Sequence, residues 1–238
     1  MTWLIAAELF KLRTTRAFYA LAGAALGFPT LIVVLGALLD GDDLALSDVM
    51  MITLFAQLIV LVIGVLCITN EFRHGTITPT LLVSTDRVRL VGAKIAASFL
   101  VGLGLGLVAC CIIALVVVAA GGETDHAPAL VAGGAVLAGL YAVLGVGLGA
   151  LIRNQVGAIV GALVYLLVLE GLIGLIPGLD DVVPKYGLGG TSQALRGGEI
   201  GAPGDYLAML PGGLLLAGYV AVIVIAGVLL MDRRDVTA

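Results

Sequence analysis

"NEFRHGTITPTLLVSTDRVRLVGAK", residues 70–94, holds five basic residues, two acidic ones and a proline, and it separates two apolar runs each long enough to cross a bilayer. On either side the chain is greasy: 61% of its 238 residues are hydrophobic and 12% are charged, with a mean hydropathy of +1.20. Soluble domains lie near 45–50% apolar and about 25% charged, so the composition excludes a water-soluble enzyme or nucleic-acid-binding domain. A span needs about 20 apolar residues to cross a bilayer core of ~30 Å. Six windows meet that length: 17–39, 49–69, 95–120, 127–152, 156–176 and 210–231. Residues 1–238 therefore read as one all-α integral membrane domain with little chain left for a second.

The net charge of −4 conceals a sorting by side. Lys and Arg collect on the cytoplasmic side of spans. With both termini cytoplasmic, Lys11, Arg13, Arg16, Arg73, Arg87, Arg89, Lys94, Arg153, Arg233 and Arg234 fall inside, and only Lys185 and Arg196 fall outside. The outer connections carry acids instead, among them Asp40, Asp42, Asp43, Glu123, Asp180 and Asp181. A multi-pass protein of the cell membrane is expected. Glu8, Lys11, Arg13 and Arg16 precede the first apolar run, which argues against a cleavable signal peptide.

Residues 2–16, "TWLIAAELFKLRTTR", place Trp3, Ala7 and Phe10 at helical spacing, with Glu8 and Lys11 pointing elsewhere. That is the pattern of an amphipathic helix lying in the interface. The glycine pairs Gly23/Gly27, Gly102/Gly106, Gly145/Gly149 and Gly157/Gly161 have the small-xxx-small spacing that lets helices approach closely in lipid. Cys67, Cys110 and Cys111 lie inside apolar spans and read as small packing residues. Between the last two spans, residues 177–209 are too polar to cross and should fold back on the outer surface. "TSQALRGG" there has a helix start at Thr191 or Ser192 and a glycine stop at Gly197.

Within residues 70–94, Thr78 followed by Pro79 makes a helix start, with Thr as N-cap and Pro at the first helical position. The short helix that follows presents Ile77, Leu81 and Leu82. A second start at Ser84 or Thr85 begins the helix of the third span early; from Asp86 to Ala120 it would run about 52 Å, well beyond the membrane core. A short helix held clear of lipid, with apolar tips rimmed by Arg and His, has the form of a plug for a groove on a partner.

These residues resemble the signature of the ABC transporter type 2 permeases, in which Glu-x-Arg-x-Gly-Thr, a Thr-x-x-Leu-Leu helix, an Arg and a Lys lie between spans 2 and 3. The matching positions are Glu71, Arg73, Gly75, Thr76, Thr80, Leu81, Leu82, Arg87 and Lys94. The resemblance implies that the short helix, with Ile77 among its contacts, is a coupling helix docking on a separate nucleotide-binding ATPase subunit. It further implies a second permease copy, preferably identical, and short re-entrant helices between the last two spans. No Gly-x-x-x-x-Gly-Lys-Ser/Thr occurs, so ATP and Mg belong to the partner and the chain itself needs no cofactor or metal. The implied substrate is an amphipathic drug, antibiotic, peptide or lipid.

The rival reading is a secondary transporter using Glu170, an acid inside the fifth apolar window. Such proteins show repeated halves and ionisable groups near the midplane, and residues 70–94 have no counterpart in the second half. Glu170 is the candidate for a substrate path, with a hydrogen bond to a neighbouring helix as its structural alternative. An intramembrane hydrolase is disfavoured, since His74 and His126 fall on opposite sides and no His-Glu-x-x-His exists.

Overall fold

The computed structural model describes residues 2–40, 45–73, 87–198 and 206–233. Six helices are long and apolar enough to cross a membrane: Arg16–Leu39, Leu46–Glu71, Val91–Ala119, Ala127–Ile152, Gln155–Ile173 and Met209–Leu230. They are the first to sixth spans. Among the described residues no strand forms, and the nearest approach to one is a single bridge between Ala45 and Glu123. The proposed short helix after Thr78 lies outside the described residues.

Alternating spans put the N-terminal helix Thr2–Thr14, Glu71, Lys94 and Arg153 at one end of the bundle, here called the basic end. The helix that ends at Arg73 and the helix that begins at Arg87 frame residues 74–86 at that end. The fourth and fifth spans are joined there by two residues. Arg153 adopts a left-handed conformation (φ 54°) and its N–H reaches the Gly149 carbonyl at 3.0 Å. Asn154 then accepts the Gly157 N–H at 3.0 Å, so a C-cap and an N-cap stand back to back.

The fourth span is the centre of the packing, in contact with the third, second and sixth. Of its most apolar stretch 72% is buried, against 17% for the first, fifth and sixth spans. Lipid tails are as apolar as the side chains they would replace, so helices associate through close van der Waals packing. Glycine supplies the closeness: a Cβ on Gly64 would overlap the Ala142 carbonyl, and one on Gly145 would overlap that of Leu61. Gly102 and Gly106 meet Ala138 in the same way. Two of the four glycine pairs named from sequence therefore sit in these contacts, Gly102/Gly106 and Gly145/Gly149. Gly23, Gly27 and Gly161 have nothing within 4 Å of such a Cβ.

Several expectations need correction. Cys67 and Cys110 are buried, but Cys111 is exposed; successive helical residues are about 100° apart, so a buried Cys110 turns its neighbour outward. On the N-terminal helix Trp3 and Phe10 are exposed, which is compatible with a helix in the interface; the unexpected finding is that the charged Glu8 is buried. The fifth span stops at Ile173, not 176. Gly174, Pro177 and a left-handed Gly178 (φ 89°) follow, and proline can neither donate to a helix nor tolerate one just before it. Beyond it run two short helices, Val183–Tyr186 and Leu188–Leu195. The second starts three residues before Thr191, because the Thr191 and Ser192 hydroxyls donate back to carbonyls of Gly187 and Leu188 and do not cap. Gly197 does end that segment, at φ 89°.

Candidate functional site

An ionic cluster occupies the basic end. Lys94, one turn inside the third span, donates to Glu8 Oε2 at 2.6 Å, to Glu71 Oε1 at 2.9 Å and to the Cys67 carbonyl at 3.3 Å. Lys11 donates to Glu8 Oε1 at 2.8 Å and to Glu71 Oε1 at 3.3 Å. The Lys94, Glu8 and Glu71 side chains are 3%, 4% and 12% exposed, and Lys11 is 50% exposed. An isolated ammonium at that depth would be expensive. Two carboxylates offset it, and two lysines offset them. Burial alone would raise the Glu8 pKa, but Lys94 and Lys11 outweigh burial and hold the carboxyl below its ordinary value. For Lys11, burial works downward and the bond to Glu8 with the field of Glu71 prevails, so its pKa is raised.

The cluster ties three elements together: the N-terminal helix through Glu8 and Lys11, the second span through Glu71, and the third through Lys94. Leu12 packs beside it against Cys67, Ile68, Val146 and Ala150. Of the residues named from sequence, Glu71 and Lys94 are in the cluster. Arg73 and Arg87 are the terminal residues of the two framing helices. Gly75, Thr76, Ile77, Thr80, Leu81 and Leu82 lie outside the described residues. Glu8 and Lys11 were named from sequence only as charges of the N-terminal helix; the signal that could have paired them is Lys94 at the start of a long apolar run, where an ammonium requires a counter-ion.

At the opposite end Glu170 is buried and its Oε1 accepts the Gly189 N–H at 2.6 Å, at the start of helix Leu188–Leu195. Its Oε2 has no hydrogen-bond partner among the described residues. The same short helix is held to the bundle by buried Arg196, which donates to the side-chain oxygens of Gln57 and, at 2.7 Å, Gln193. Tyr141 and Ser192 share a hydrogen bond of 2.9 Å.

A family model described as "ABC-2 family transporter protein" matches residues 4–169, more than half of the chain. The chain belongs to the ABC-2 transporter family. No curated protein matches it. ABC-2 permeases are membrane transport components that work with an ATPase subunit, and the matched region runs from the N-terminal helix through the ionic cluster to the residue before Glu170. In this ABC-2 permease the framing helices of residues 74–86 are thus not free stalks: both are bonded to the N-terminal helix.

Proposed function

We propose that the chain is the transmembrane subunit of an ATP-driven exporter, forming the substrate path and responding to a separate nucleotide-binding subunit that holds ATP and Mg. The supporting observation is the three-way cluster of Lys94, Glu8 and Glu71. A push on residues 74–86 would reach the second and third spans through Glu71 and Lys94, and the N-terminal helix would move with them. Leu81 and Leu82, with Ile77, are the apolar contacts of that docking, and Glu71, Arg73, Gly75, Thr76, Thr80 and Arg87 complete the coupling segment. Both termini are cytoplasmic, two identical copies assemble, and the cargo is an amphipathic drug, antibiotic, peptide or lipid.

The test is Leu81→Ala with Leu82→Ala. Each buried Leu contributes about 1.5–3 kcal/mol at such a contact, so the double variant should insert normally and lose association with the ATPase subunit and the hydrolysis that cargo stimulates. Unchanged transport would refute the docking role. Orientation is tested with the native cysteines replaced: cysteines at Asp42 and Asp180 should react with impermeant thiol reagents from outside, and one at Arg153 should not.

A further inference from the structure

A cavity of about 120 Å³ lies between the N-terminal helix and the first two spans. Glu8, Lys11 and Glu71 line its polar part, and Phe18, Leu21 and Ile63 line apolar wall. Ile63 is eight residues before Glu71 on one helix, about 12 Å deeper into the span. Polar groups thus lie near the ends of the spans and apolar walls run inward, the profile of an amphiphile lying along the bilayer.

The charges point to the head of that amphiphile. Deeply buried Lys94 balances one carboxylate of the Glu8–Glu71 pair. The other is balanced from the rim by Lys11, which is half exposed and sits on a flexible stem. An ammonium that replaces it at the rim keeps the charge balance of the two buried carboxylates, so a second primary amine can take this position.

We propose that this cavity binds the headgroup of an aminophospholipid, its primary ammonium replacing Lys11 on Glu71 and Glu8. The displaced Lys11 then meets the lipid phosphate, which an ethanolamine head carries two carbons from its nitrogen. The first span beside the cavity is largely unburied, so an acyl chain has apolar surface to follow. Choline fits poorly, because a quaternary ammonium is bulkier and has no N–H to donate to a carboxylate.

The experiment titrates the purified permease, without nucleotide or ATPase subunit, with short-chain phosphatidylethanolamine, phosphatidylcholine and dodecylammonium, counting adducts by native mass spectrometry. Phosphatidylethanolamine should bind about tenfold tighter than phosphatidylcholine, the ratio one charge-assisted hydrogen bond supplies. Glu71→Gln should bring that ratio close to unity, and Ala17→Trp, which fills the cavity from its exposed rim, should abolish the preference in a protein whose melting is unchanged. Lys11→Met should strengthen dodecylammonium binding and weaken phosphatidylethanolamine binding, since it removes both a competitor and a phosphate partner. Equal binding of the two lipids overturns the proposal, as does a preference that survives both Glu71→Gln and Ala17→Trp. Tight dodecylammonium binding without lipid selectivity also overturns it and makes the cavity a cargo site. Because no ATPase is present, each of these outcomes leaves the coupling role to its own test.

Discussion

Lys94 and Glu8 are 86 residues apart in sequence and 2.6 Å apart in space. The contact joins the third span to a helix that precedes the first. Nothing in the backbone path requires that helix to lie there; the ion pair holds it, together with the packing of Leu12.

Replacing Lys94 by Met should therefore do more harm than removing a surface charge. Two carboxylates would be left buried with only half-exposed Lys11 to balance them, and breaking a buried pair costs about 3–5 kcal/mol. Adding Glu8→Gln to Lys94→Met should recover part of the loss, because it removes one of the stranded charges. Thermal unfolding of the four proteins in the double-mutant cycle measures this. Additive losses would mean that the two groups do not interact in the folded protein.

The same cluster predicts a response to acid. The Glu8 carboxyl is held below its ordinary value of 4.5, so its contribution to stability is fully present above that pH and is lost as pH falls through the depressed folded value. Lys11 has the opposite sign: its raised pKa contributes fully below 10.5 and is lost as pH rises past the folded value. Between these limits docking of the N-terminal helix should be insensitive to pH. Fluorescence of Trp3, the one tryptophan of the chain, can follow helix release, and in Glu8→Gln the acid step carried by Glu8 should disappear.

Packing gives a sharper contrast. Gly145→Ala must push a methyl into the Leu61 carbonyl, whereas Gly161→Ala meets nothing within 4 Å. Overpacking costs about 1–3 kcal/mol, so Gly145→Ala should lower the melting temperature of the single permease, and Gly161→Ala should leave it unchanged or raise it through better helix propensity. A melting temperature unaltered by Gly145→Ala would contradict the close approach of the second and fourth spans.

Six spans were legible because each is an unbroken apolar run, and twenty such residues have few alternatives to a membrane helix. Which glycines pack was not legible. Gly145/Gly149 and Gly23/Gly27 share one spacing, and only the neighbour that each helix meets tells them apart. The candidate site was half legible for the same reason. Glu71 stands in a local motif, while Glu8 acquires its meaning from Lys94, and that pairing is set by how the third span packs against the N-terminal helix. The fifth span is shorter than its apolar window, which runs on to residue 176. Its helix ends at Ile173, which puts Glu170 about one turn from the end and within reach of Gly189.

That position shapes the last prediction. Glu170 Oε1 takes the N–H of Gly189, one of the amide groups left without an intrahelical partner at a helix start. Glycine makes room for it: a Cβ on Gly187 would overlap the same oxygen, and one on Gly189 would lie 3.2 Å away. Glu170→Gln keeps an acceptor oxygen of the same reach and loses only the charge, whereas Glu170→Ala leaves the amide unpaired, at about 1–3 kcal/mol. Gly187→Ala should act like the Ala variant, since it expels the carboxylate without altering it. If Glu170 is an anchor, Glu170→Gln will export cationic and neutral compounds as the parent does, and both Glu170→Ala and Gly187→Ala will loosen helix Leu188–Leu195, seen as faster amide exchange at residues 188–195. If Glu170 lines the path, Glu170→Gln will lose cation export selectively while amide exchange stays at the parental rate. The two readings thus differ in which variant fails and in which measurement reports it.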